Sequence, residues 1–127
     1  MKTAIRTDAA PKAVGPYSQA VRSGDWLWLS MQLPLDPATG RLVEGDAAAQ
    51  ARRAIENIRA VARAAGADLA DVVRTTLYLV DLSDFPAVNT VYAEYFGDPA
   101  PARSTVGAAA LPLGARVALD AVAGIGG

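Results

Sequence analysis

The stretch ARVALDAVAG, positions 115–124, reads as a strand that is largely apolar on both faces. Successive side chains of an extended chain point to opposite sides, so Val117, Leu119, Ala121 and Ala123 fall on one face and Ala118 and Val122 on the other. A sheet with one face in water shows a cleaner alternation, so such a strand has to be covered twice. The 127-residue chain has only two segments with helical periodicity, and two helices cover one face. The second face calls for another copy of the same chain. A homo-oligomer, with that face at subunit boundaries, is the expected assembly.

The remaining elements follow from local signals. Strands are expected at Thr3–Arg6 and Ser18–Arg22 and along WLWLSMQL from Trp26, with Gly24-Asp25 as a hairpin turn. DPATG, Asp36–Gly40, is a turn with proline at its second position. Asp46 caps a long helix whose apolar positions Ala51, Ile55, Ile58, Ala62 and Ala65 recur at helical spacing and which Gly66 stops. VVRTTLYLVDL from Val72 reads as a strand, and SDFPAVNTVYAEYFG as a helix opened by a Ser/Asp cap and an early proline and closed by Gly97. Arg103–Ala109 and Ala115–Ile125 complete the chain as strands. The order β-β-β-α-β-α-β-β, without repeat or linker, predicts one α+β domain over residues 1–127, with a mixed sheet and two helices on one face. Trp26 and Trp28 share a strand face with Ser30 and read as packing residues.

Composition narrows the chemistry mainly by what it lacks. There is no Cys and no His, so thiol nucleophiles, disulfides, Ser-His-Asp triads and the usual zinc sites are excluded. Carboxylates are not spaced for a magnesium cluster, so no metal is expected. Net charge is −1 and the arginines are scattered, which gives no footprint for nucleic acid or an anionic membrane. No apolar run spans a bilayer and Met1–Arg6 lacks the apolar core of a signal peptide, so the expected compartment is the cytoplasm.

Two charges stand out in apolar strands. Asp120 is the only carboxylate in the last strand, where it needs a partner, and Arg103 heads PARSTVGAAA after two prolines. On neighbouring strands the two would share a cleft in which the guanidinium grips a substrate carboxylate and Asp120 holds a water. They would equally make a structural ion pair, and spacing does not choose between these readings. In GPYSQA, Tyr17 either faces a ligand or plugs the fold. SMQLP, Ser30–Pro34, is either a ligand-facing strand end or a polar stop before a loop. Asn89 and Tyr92 lie on the second helix, where Asn89 either caps or points into a cleft.

GPYSQA, SMQLP, ARRAIENIRAVARAAGA, VVRTTLYLVDLSDF, NTVYAEYF, PARSTV and VALDAVA together, in this order, resemble the RidA/YjgF family of reactive-intermediate deaminases over nearly the whole chain. The resemblance implies a chorismate-mutase-like α+β fold, a homotrimer whose sheets close a central β-barrel, and active sites between subunits. It implies that Arg103 holds the carboxylate of a 2-imino or 2-enamino acid, and that Tyr17, Asn89 and the backbone following Ser30 line the cleft. It also implies that Asp120 orients the water that attacks the imine carbon, releasing a 2-oxo acid and ammonia. No cofactor is needed, since orienting the imine and one water suffices.

Three positions depart from the family pattern. Met31 replaces the glycine of the usual S-G-Q, placing a side chain where backbone approaches ligand. Asp120 replaces glutamate and is shorter by about 1.5 Å, when displacements near ~1 Å can cost on the order of a hundredfold in rate. Thr105 stands where cysteine is common, a harmless change for a backbone contact. The activity that the resemblance implies is that of a 2-iminobutanoate/2-iminopropanoate-type deaminase. Its rivals are a non-catalytic binder of small carboxylic acids on the same trimer and a pathway-specific enzyme such as an aminomuconate deaminase. A ribonuclease ranks last for want of a basic surface.

Overall fold

A computed structural model describes residues 1–126, in which six strands form one mixed sheet of order β1-β2-β3-β6-β4-β5. The strands are β1 (Lys2–Ile5), β2 (Ala20–Ser23), β3 (Trp26–Gln32), β4 (Val72–Leu79), β5 (Ala102–Gly107) and β6 (Val117–Gly124). The helices are α1 (Ala47–Ala64) and α2 (Phe85–Tyr95). Only β4 and β5 pair in parallel, joined by the crossover through α2; the other neighbours are antiparallel. The expected α+β class and element order both hold.

Strand ends differ from expectation where a side chain takes over the backbone's hydrogen bonding. β2 begins at Ala20 because the preceding carbonyls are engaged by Ser30: its N–H donates to Gln19 O at 2.9 Å and its hydroxyl to Ser18 O at 2.6 Å. β4 stops at Leu79 because Asp81 starts a turn, its Oδ1 accepting from Ser83 N–H at 2.9 Å. The Gly24-Asp25 turn forms as expected, with Gly24 at φ 59.

α1 begins where Asp46 Oδ1 accepts from Ala49 N–H at 3.0 Å and ends before Gly66 at φ 81. Its stripe of Ala51, Ala54, Ile55, Ile58, Val61 and Ala62 is buried. α2 differs from expectation at both ends. Asp84 occupies the N-cap position without a capping bond and pairs instead with Arg116 at 2.7 Å. The helix ends before Gly97, because Phe96 turns extended and buries its ring 4.4 Å from that of Tyr92.

The core lies between the helices and one sheet face, which contributes Leu27, Leu29, Leu77, Leu79, Val117 and Leu119. The opposite face has no cover within the chain. Trp26 and Trp28, read above as packing residues, stand on it 47% and 53% exposed and pack into no core of their own chain. Beyond the strands, buried Asn57 on α1 donates through Nδ2 to Leu33 O at 3.1 Å and Leu35 O at 2.9 Å, pinning the loop after β3. Asn57→Ala removes both donations, leaving Leu33 O with only the Leu35 N–H and Leu35 O without its side-chain donor, and chemical denaturation should show a loss of about 1–3 kcal/mol. Among the described residues no helix is long and apolar enough to cross a membrane.

Candidate active site

Arg103 lies on β5, the outermost strand beside β4. Register sets Arg103 opposite Thr75, whose side chain is fully buried on the helix side, and the guanidinium accordingly turns toward α2. Phe85, Asn89 and Tyr92 are spaced i, i+4, i+7 and share one face of that helix. Asn89 Oδ1 accepts from Arg103 Nη1 at 2.9 Å, and the guanidinium carbon lies 4.6 Å from the Tyr92 ring centre and 5.3 Å from that of Phe85. Tyr92 is fixed in turn by a 2.8 Å bond between its hydroxyl and that of Thr75. Burial holds the Tyr92 phenol above its ordinary range, offset in part by Thr75 and by the Arg103 charge, so the ring under the guanidinium stays neutral. Thr105, two residues along β5, lies exposed on the same side as Arg103.

Asp120 occupies the other side of the sheet. β4 lies between β5 and β6, and Asp120 is in register with Thr76 while Arg103 is in register with Thr75, so the two charges point to opposite faces. The expectation that neighbouring strands bring them into one cleft is corrected. The ion-pair reading is corrected with it, since among the described residues Arg103 forms no salt bridge. The partner that Asp120 requires is Tyr78, whose hydroxyl donates to Oδ2 at 2.7 Å. That bond raises the Tyr78 pKa, with burial adding to it, and keeps the donor protonated.

Tyr17, Ser30 and Met31 form a second group. The pairing of β3 with β6 slips between Leu29 and Gln32, placing Ser30 and Met31 in a β-bulge that takes them out of the regular ladder. With Leu29 opposite Ala121, Ser30 enters this bulge beside Asp120 on the uncovered face. Tyr17 is 52% exposed and lines with Ser30 and Met31 a cleft of about 590 Å³. Three strand spacings, roughly 14 Å, separate β3 from β5, so one chain does not bring this group to Arg103.

Sequence reasoning missed two supports of these groups. Phe85 was legible only through its spacing from Asn89. Gln19, quoted in GPYSQA without a role, is buried and binds Thr7 N–H at 2.7 Å and Pro11 O at 2.8 Å, tying the N-terminal segment to the stretch that carries Tyr17.

The sequence profile of the family described as "Endoribonuclease L-PSP" matches residues 7–125. The chain belongs to this family, also called RidA/YjgF. Protein DfrA of Myxococcus xanthus is 53% identical over 96% of this chain and 95% of its own. The 2-iminobutanoate/2-iminopropanoate deaminase of Bos taurus is 47% identical over 94% of this chain and 87% of its own. Among solved structures, a Thermotoga maritima protein superposes with a TM-score of 0.97 at 45% identity, covering 100% of both chains. E. coli TdcF with bound serine does so at 0.90 and 37%, covering 96% of this chain and 98% of its own. As a RidA/YjgF chain, this one presents the arginine of P-x-R-S-x-V on an edge strand, held by α2 and opposed by no carboxylate among the described residues.

Proposed function

We propose that this protein is an imine deaminase that hydrolyses 2-imino acids and their enamine tautomers at sites shared between copies of a homotrimer. The observation that carries the reading is Arg103. A half-buried guanidinium is costly without an anion, and this one is oriented by Asn89, Tyr92 and Phe85 with its remaining donors available to a planar carboxylate. The deaminases among its relatives and the amino acid held by TdcF support a small carboxylate as that anion.

Arg103, Asn89 and Thr105 belong to one half of the site; Tyr17, Ser30, Met31 and Asp120 belong to the other, which a neighbouring copy supplies. In this arrangement the substrate carboxylate sits on Arg103, and Asp120 of the neighbouring copy orients a water toward the imine carbon. The new C–O bond forms as water adds, the C–N bond breaks, and nitrogen leaves as ammonia carrying protons from water, giving the 2-oxo acid. Because the imine already hydrolyses in water, positioning alone accelerates it. The family description names an endoribonuclease, but Arg52, Arg59, Arg63 and Arg116 are each bridged to a carboxylate, which favours a small acid over a phosphate backbone.

A second reading, binding of a small carboxylic acid without turnover, is favoured by the opposite facing of Asp120 and Arg103 within one chain. Asp120→Asn separates the two. With 2-iminopropanoate and 2-iminobutanoate generated in situ, deamination predicts that this variant binds 2-oxobutanoate like the wild type and loses on the order of a hundredfold in turnover. A wild type that binds 2-oxobutanoate but accelerates neither these imines nor those with larger side chains establishes the binder.

A further inference from the structure

The cleft beside Tyr17, Ser30 and Met31 has an apolar wall that the chain's own core does not use. Val14 is 83% exposed and Leu113 68% exposed, and both line it, with Lys12 at its margin. Leu113 is also the one non-glycine residue with positive φ among the described residues, at φ 61, ψ 17, followed by Gly114 at φ 75. That conformation crowds the Cβ of any residue but glycine, and it is tolerated chiefly where the surroundings or a function require it. Leu113 gains no compensating burial within its own chain. Its strained backbone instead holds an isobutyl group out toward the cleft. Met31 lines the same cleft from the bulge of β3 and adds an unbranched thioether, a side chain that adapts to apolar groups of varied shape.

We propose that Met31, Leu113 and Val14 form a side-chain pocket that selects 2-imino acids bearing large apolar groups, branched aliphatic or aromatic, over those bearing methyl or ethyl groups. This rests on the deaminase reading only in that the ligand is a 2-imino acid whose carboxylate lies on Arg103 of the adjoining copy. Tyr17, Ser30 and Met31 then line the path of its side chain, and Val14 and Leu113 receive the end of it. Each methylene buried is worth roughly a fourfold gain in affinity, so an isobutyl in place of a methyl gains about tenfold or more even when partly buried.

Two measurements on the same panel test this. Calorimetric titration of the intact oligomer with pyruvate, 2-oxobutanoate, 4-methyl-2-oxopentanoate and phenylpyruvate reads binding, and hydrolysis of the corresponding imines, generated in situ by an amino-acid oxidase, reads turnover. The wild type should favour the two bulky members by about tenfold in both, and Leu113→Gly with Met31→Gly should bring that ratio to near one. Leu113→Gly relieves the backbone, so misfolding does not mask the result. Equal or better use of the small members overturns the pocket and leaves the deaminase standing. A bulky preference unchanged in the double variant also overturns it, by moving the selectivity elsewhere. A bulky preference in binding without any turnover supports the pocket and removes the deaminase. No binding and no turnover for any member overturns both.

Discussion

Arg103→Ala should leave a folded protein that has lost the proposed acceleration of imine hydrolysis. Within its own chain Arg103 contributes one hydrogen bond to Asn89 and its stacking on two rings, so the loss of stability should stay near ~1 kcal/mol. A substrate carboxylate loses two charge-assisted bonds, about 3–5 kcal/mol together, which corresponds to a fall in kcat/KM on the order of 10²–10⁴. Arg103→Lys keeps the charge without the planar fork and should fall between the two. Steady-state kinetics beside thermal unfolding measures both effects. Wild-type kinetics in Arg103→Ala would sink the assignment of Arg103, and unfolding of the variant would restore a structural role for the guanidinium.

Trp28→Asp acts at a distance from that arginine and removes activity by a different route. Trp28 and Trp26 are about half exposed on the sheet face that neither helix covers, with Val73 and Val106 also exposed among the sheet strands. In the proposed trimer these residues are buried between copies, where an indole is worth about 2 kcal/mol. Three copies lose about 6 kcal/mol, roughly 10⁴ in the assembly constant, before the cost of burying the new carboxylate is counted. Sedimentation should show dissociation while circular dichroism keeps the spectrum of the folded chain, because Trp28 contributes nothing to the inner core. Hydrolysis should vanish with assembly, since neither half of the site works alone. A dissociated variant with full activity would contradict the shared site.

The element order and the one-sided helix layer were legible because they rest on local signals: the Asp46 cap, the stripe of α1, and the two apolar faces of the last strand. The relation of Arg103 to Asp120 was not. Spacing along the chain carries no record of strand order, and the insertion of β4 between β5 and β6, with its one-residue offset in register, sends the two charges to opposite faces. The tryptophans show the same limit from another side. Alternation correctly placed them together on one face, but whether a face meets helices or a second copy is a tertiary fact. The end of α2 was misplaced because Gly97 carries a stop signal that Phe96 pre-empts by turning its ring onto Tyr92. Around Arg103 the support was partly visible: Asn89 and Tyr92 were singled out, and Phe85 completes their helical face.

The most direct measurement mixes two defective proteins. Arg103→Ala and Asp120→Asn are each expected to be inactive, having lost opposite halves of the site. Co-expressed in equal amounts and assembled at random, they should recover about a quarter of the wild-type rate, the share of boundaries that draw an intact half from each copy. Mixed oligomers as inactive as either parent would contradict a site shared between copies.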